Sequence, residues 1–190
     1  RRQRQMCIRD SPEAAEKMSE HLDSVRKDLD TVGSVVELLI EGLPMGVGEP
    51  WFDGIEPALA RGLMAIPGAR AVEFSSGVRA SIMRGSEHND ALLPSDSGPI
   101  PEGADEAQAD GALGGRSTIA TICARVHFKP PSSLPQEQFT LHLPSNEVQS
   151  LKVSGRHDPV IGPRAAPVVE SVAMLEVTDL GKLGGYIGTD

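Results

Sequence analysis

From Pro12 to about Asp30 the apolar residues Met18, Leu22, Val25 and Leu29 recur at helical spacing, which predicts an amphipathic helix. Ser11 offers a capping hydroxyl, Pro12 suits the first helical position, and Gly33 breaks the pattern. Ser34 to Ile40 is β-branched and leucine-rich and predicts a buried strand. A second helical stripe (Ile55, Leu59, Leu63, Ile66) ends at Pro67-Gly68, with Asp53 placed to cap its start. Ala69 to Phe74 predicts a short strand, Ser75-Ser76-Gly77 a turn, and Val78 to Met83 a short helix in preference to a strand. Thr118 to Lys129 alternates as a long strand that Pro130-Pro131 ends. Gln138 to Leu143 and Glu147 to Val153 predict two further strands. Pro163 to about Leu180 predicts a last helix, with Val168, Val169, Val172 and Leu175 apolar. Helices and strands alternate irregularly and no fixed-period repeat is present, so the predicted class is α+β.

Two stretches break this patterning. Gly42 to Pro50 is punctuated by Gly and Pro and reads as a loop. Gly85 to Gly115 contains no Lys or Arg and carries Glu87, Asp90, Asp96, Glu102, Asp105, Glu106 and Asp110. It reads either as a solvated, mobile loop or as an active-site lid.

The chain has 190 residues, enough for one domain or a large piece of one. Aromatic residues make up only 3%, so aliphatic side chains must build the core. The net charge of −9 argues against a nucleic-acid backbone or an anionic membrane surface as the main partner. It leaves room for a small anionic ligand, because a few local cations override the global sign. Cys7 and Cys123 lie far apart with no zinc or disulfide spacing, which fits a reduced, cytoplasmic compartment. His21, His88, His127, His142 and His157 show no helical pair, so no metal site is expected. No apolar run approaches a membrane span, and no signal-like run follows the basic start Arg1-Arg2-Gln3-Arg4-Gln5. Without an initiator Met, the chain reads as truncated, with residues 1–10 a leader, 11–180 the domain and 181–190 a tail.

Four local motifs carry candidate chemistry, each beside a plainer alternative. Gly46-Val47-Gly48-Glu49-Pro50 lacks the Gly-Lys-Ser/Thr of a phosphate loop and reads as a turn. Gly85-Ser86-Glu87-His88-Asn89-Asp90 is a polar hexad that can hold a ligand or form a surface loop. Lys129-Pro130-Pro131-Ser132-Ser133 can seat a phosphate with one point charge and two hydroxyls, or simply end a strand. Gly155-Arg156-His157-Asp158-Pro159 is the sharpest cluster. Arg156 can grip a phosphate or carboxylate, and Asp158 can position or relay a proton. The alternative is an Asx-type turn at Asp158 and an exposed salt bridge at Arg156.

Taken in chain order, these pieces resemble the chorismate synthase family. Gly46 to Asp53 resembles its G-x-G-E-P-x-F-D segment, and Ile66 to Phe74 its I-P-A-V-K-x-V-E-I/F segment. Gly85-Ser86-x-x-Asn89-Asp90 resembles G-S-x-x-N/H-D, and Leu113-Gly114-Gly115-x-Ser117 resembles L-G-G-I-S. Lys129 to Ser133 resembles K-P-T-P/S-S, and Gly155 to Arg164 resembles G-R-H-D-P-C-x-x-x-R. The resemblance covers about Ser11 to Leu180 and corresponds to the second half of the family's chain.

The resemblance implies an incomplete α/β sandwich of the chorismate synthase type. It implies a cytoplasmic flavoprotein lyase of the shikimate pathway, usually a homotetramer, with no nucleic acid or membrane partner. The reaction is the anti-1,4 elimination of phosphate from 5-enolpyruvylshikimate 3-phosphate, giving chorismate for aromatic amino acid biosynthesis. It requires reduced FMN, with NADPH or an external flavin reductase as reductant. By position, Pro67, Gly68, Gly114, Lys129, Pro130, Pro131, Ser132, Ser133 and Arg156 would contact FMN. Asp158 would sit near the flavin N5 as the catalytic residue. The family's G-E-S-H-G motif, its two catalytic histidines and several substrate-binding arginines fall in the half this chain lacks. Departures are Ala107-Gln108-Ala109-Asp110-Gly111 where the family reads N-x-A-G-G, Thr118-Ile119 after Ser117, Val160 for a Cys, and a helix break expected at Leu180 to Gly185. The rival expectation is a non-catalytic flavin- or partner-binding α+β module derived from that family.

Overall fold

The computed structural model describes residues 11–95, 98–101, 111–155 and 157–188. They form an α+β chain that divides into two compact units, one of residues 11–34 with 128–165 and one of 35–127 with 166–188.

In the first unit, helix α1 spans Pro12–Lys27. The Ser11 hydroxyl accepts a hydrogen bond from the Ala14 N–H at 3.2 Å, as its capping position requires. The helix stops at Lys27 instead of Asp30, because Leu29 turns into the left-handed region at φ 56° and leaves the stripe, 48% exposed. Of that stripe only Val25 is buried. Strands β8 (Glu137–His142) and β9 (Glu147–Lys152) form an antiparallel hairpin running from Glu137↔Lys152 to His142↔Glu147. Asn146 makes its turn at φ 54°, a conformation that Asn tolerates better than most residues.

The second unit is built on a three-stranded sheet in the order β1 (Ser34–Ile40), β7 (Ile122–Phe128), β2 (Ala69–Phe74), all but the terminal residues Ser34 and Phe128 lying within it. The central strand is the most buried, with Ile122, Ala124 and Val126 fully inaccessible. The edge strand β1 is not the buried run its composition suggested. Val35, Glu37 and Leu39 point to an exposed face and Leu38 inward, the alternation of a sheet covered on one side.

Helix α2 (Ile55–Met64) packs on β2 and places Ile55, Leu59 and Leu63 at 0% exposure, with Ile66 just beyond it also buried. Each such side chain contributes about 1.5–3 kcal/mol of burial. Asp53 does not cap this helix. It closes a short 3₁₀ turn, Trp51–Asp53, and Gly54 is the capping residue. The Asp53 carboxylate lies instead 3.7 Å from Arg61. Gly62 leaves room for Glu176, whose carboxylate would stand 2.5 Å from any added Cβ and pairs with Arg61 at 3.6 Å.

Helix α4 spans Gly162–Leu183 and ends inside the Leu180 to Gly185 stretch where a break was expected. Gly185 at φ 73° closes it while the Gly184 N–H bonds to the Leu180 carbonyl. Its buried face is Ala165, Val169, Ala173 and Leu180, whereas Val168 and Leu175 are exposed. Two small alanines alternate with two larger aliphatics along the inward stripe.

The acidic stretch after Gly85 is more ordered than a loop. It carries helix α3 (Gly85–His88), the β3 (Leu92–Ser95) and β4 (Gly98–Pro101) hairpin, and the β5 (Ala112–Leu113) and β6 (Arg116–Ser117) hairpin. Residues 102–110 lie outside the described residues. Gly77–Ile82 is helical as expected, though as a 3₁₀ turn. The long strand predicted from Thr118 begins only at Ile122, because the Thr118 hydroxyl accepts from the Ala120 N–H and curls the preceding residues.

Gly114 and Gly115 form the two-residue turn between β5 and β6, both at positive φ (62° and 87°), the geometry that a tight hairpin demands. Gly115 is also wedged against the Gly46–Gly54 loop. Its carbonyl accepts from the Ile55 N–H at 2.8 Å and would lie 2.4 Å from a Cβ at Gly48. Buried Ser117 completes the join: its hydroxyl donates to the Pro44 carbonyl and accepts from the Val47 N–H.

Gly48→Ala, at φ 108° against backbone, should cost about 2–5 kcal/mol of stability. Gly114→Ala, with open space around it, should cost only about 1 kcal/mol from its φ. Urea unfolding of the two variants measures the difference.

Candidate functional site

Two loops of the first unit converge on one pocket of about 320 Å³, lined by Pro131, Ser133, His157, Asp158, Ile161 and Arg164. The first loop is the exit of β7, Lys129 to Ser133. The second is the segment between β9 and α4. A short linker after α1 ties both down. The Thr31 hydroxyl donates to the Pro131 carbonyl at 2.8 Å, and the next residue, Val32, donates its N–H to the Pro159 carbonyl at 2.8 Å. Gly33 follows with no room for a side chain, since a Cβ there would meet the Phe128 carbonyl at 2.8 Å. Three consecutive residues therefore register the two loops against each other.

The expected residues distribute unevenly. Pro131, Ser133 and Asp158 line the pocket. Lys129, Pro130 and Ser132 belong to the same turn, and the Lys129 ammonium donates to the Ser132 hydroxyl at 3.1 Å, an arrangement that leaves further ammonium donors for an anion. Arg156 lies outside the described residues. Pro67, Gly68 and Gly114 belong to the second unit. Pro67-Gly68 forms a turn in which the Ala69 N–H bonds to the Ile66 carbonyl and Gly68 takes φ 92°, a type II turn that accounts for both residue types by itself. At Gly114 an added Cβ meets nothing within 4 Å, so its backbone is open to a ligand.

Sequence reasoning passed over His157, Ile161 and Arg164 as pocket residues. His157 was visible as the centre of the Arg-His-Asp cluster, and its Nε2 is buried without a hydrogen-bond partner. Arg164 was visible only as the last residue of a motif. It stands in the first turn of α4, its N–H bonded to the Ile161 carbonyl, and its guanidinium meets the Asp158 carboxylate at 2.7 Å. Thr31 and Val32 carried no signal, because their role depends on bonds to main-chain carbonyls a hundred or more positions away.

The donors present (a lysine ammonium, an arginine guanidinium, serine hydroxyls and an unpartnered imidazole nitrogen) suit a small anionic group such as a phosphate. Among the described residues no group of three or more His, Cys, Asp or Glu could hold a metal ion. No helix among them is long and apolar enough to cross a membrane.

A separate charged cluster lies on the exposed face of the sheet. Arg125 on β7 reaches Glu73 on β2 at 3.3 Å and Glu37 on β1 at 3.9 Å, and His127 stands 3.4 Å from Glu73. Burial pushes the Glu73 carboxyl up, but hydrogen bonds and charge from Arg125 and His127 outweigh it and hold it below its ordinary value. Burial, reinforced by Glu37, pushes the Cys123 thiol up.

The structure therefore defines an α+β chain with a pocket in its first unit whose lining includes a guanidinium, a serine and an imidazole. Sequence comparison identifies its kin. The profile of the family described as chorismate synthase matches residues 1–181, a span that includes the ten leading residues in which no motif is visible. The chain is 42% identical over 179 residues to the chorismate synthase of Methanopyrus kandleri, covering 94% of this chain and 45% of that protein. It is 43% identical over 169 residues to that of Aeropyrum pernix, covering 89% and 44%. A crystal structure of chorismate synthase superimposes with a TM-score of 0.70 at 23% identity, over 89% of this chain and 43% of that one, and supports the fold. The chain belongs to the chorismate synthase family, and it spans about half the length of the curated relatives it matches.

Because the Glu73 carboxyl is held low, its stabilisation is complete above the ordinary value of 4.5 and is lost as pH falls through the lower folded value. Glu73→Gln should therefore be less stable than the parent at pH 6, and the gap should close towards pH 3, as urea unfolding at the two pH values would show.

Proposed function

We propose that this chain is the flavin-binding part of a chorismate synthase, a lyase that eliminates phosphate from 5-enolpyruvylshikimate 3-phosphate to give chorismate. The observation that carries the reading is the convergence of the Lys129–Ser133 turn and the Asp158 loop on one pocket, in a chain of this family. Lys129, Ser132, Ser133 and Arg156 would hold the phosphate of FMN. When bound and reduced, the flavin supplies electron density to the breaking C–O bond. NADPH or an external flavin reductase would keep it reduced.

The chain's own residues have narrower tasks. Lys129 offers a point charge to a phosphate oxygen, and Ser133 a hydroxyl at the pocket wall. Asp158, held at the rim by Arg164, is placed to accept or return a proton at its free carboxylate oxygen. The Thr31-Val32-Gly33 linker keeps these groups in one geometry, which an elimination with little tolerance for misplacement needs. In this reading the protein works as a cytoplasmic homotetramer.

A second reading, a flavin- or partner-binding module without chemistry, is favoured by the sequence Ala107 to Gly111. Asp110 there puts an anion where the family has a glycine, which would weaken an anion site.

Titration of the purified chain with FMN, followed by flavin fluorescence, tests the proposal. Saturable binding is expected, and Lys129→Ala should weaken it at least about tenfold, as the loss of a charged hydrogen bond does. A folded chain with no affinity for FMN, or one indifferent to Lys129→Ala, would sink it. If FMN binds but the chain, supplied with reduced FMN and 5-enolpyruvylshikimate 3-phosphate, releases no phosphate, the second reading gains.

A further inference from the structure

Asp158 poses a problem for any anionic ligand in this pocket. A carboxylate beside a phosphate or a reduced flavin is repulsive unless its charge is compensated nearby. Among the described residues that line the pocket, Arg164 is the one permanent cation, and its Nη1 lies 2.7 Å from Asp158 Oδ2. Both partners are anchored by main chain. Val32 holds the Pro159 carbonyl beside Asp158, and the Ile161 carbonyl accepts the Arg164 N–H at 2.9 Å. Pro163 precedes Arg164 in the first turn of α4, where its missing N–H costs nothing and its fixed φ stiffens the turn. The guanidinium is thus delivered by the start of a 22-residue helix, and the carboxylate by a loop pinned to the linker.

We propose that Arg164 is a positioning residue for Asp158. Its guanidinium fixes the direction of the carboxylate and cancels its charge, so that an acid can stand at the pocket wall without expelling an anionic ligand. This rests on the reading of the pocket as the flavin site. Both side chains are well exposed (78% for Arg164 and 42% for Asp158), so solvent screens the pair and the effect is moderate.

A double-mutant cycle separates action through Asp158 from direct contact with the ligand. The parent, Asp158→Asn, Arg164→Gln and the double variant are each checked for folding by circular dichroism and titrated with FMN. Arg164→Gln should weaken binding about two- to fivefold, the range of an exposed ion pair. In the Asp158→Asn background it should change nothing, because no charge remains to be compensated. Arg164→Lys, which keeps the charge, should recover most of the affinity. Equal losses in both backgrounds would overturn the proposal, since Arg164 would then touch the ligand itself. No loss in either would overturn it too. If Lys129→Ala still weakens binding in that case, the flavin reading stands and only the role of Arg164 falls. A parent that takes up no FMN overturns both.

Discussion

Close approach of backbone to backbone, with no side chain between, is the constraint on which this structure depends. At Gly33, Gly48 and Gly115 an added Cβ would lie 2.8 Å or less from a carbonyl oxygen of another segment. Loops usually solve their unpaired polar groups by facing water. Here they pair with each other: Gly115 with Ile55, Ser117 with Pro44, Gly46 and Val47, Val32 with Pro159. The arrangement satisfies the polar groups of irregular segments within the fold, and it does so where the family's motifs fall.

That constraint explains why so much of the motif content is structural. The Gly-x-Gly-Glu-Pro and Leu-Gly-Gly segments lock onto one another in the second unit, and Glu49 adds an ion pair to Arg116 at 3.4 Å. Pro67-Gly68 is satisfied as a turn. In the first unit, by contrast, Ser133, His157, Asp158 and Arg164 present side chains to a cavity, and the local backbone gives no reason for those residue types. The distinction separates glycines held by close backbone packing from side chains that line a cavity.

Electrostatics follow a similar division. The chain is acidic overall, yet Arg164 and Ser133 share the pocket lining with Asp158, its single carboxylate, and on the exposed sheet face Arg125 draws in Glu37 and Glu73. Local charge, set by which loops meet, decides what each surface can bind, whatever the global sign.

The sequence by itself determined the elements whose signals are local. Ser11 and Pro12 start α1, the Ile55–Leu59–Leu63 stripe builds α2, and the β-branched run from Ser34 to Ile40 makes a strand with the bounds expected. The ordered motifs also pointed to the family. Tertiary structure decided what depends on distant partners. It turned Leu29 out of its helix, gave the inward face of α4 to Ala165, Val169, Ala173 and Leu180 instead of Val168 and Leu175, and folded part of an acidic stretch into hairpins. It alone brought Arg164 to Asp158, and Thr31 and Val32 to loops a hundred or more residues away. The physical reason is that propensity and periodicity act over a turn or two of chain. The pairing of a backbone N–H with a carbonyl across the fold leaves no mark on the identity of either residue.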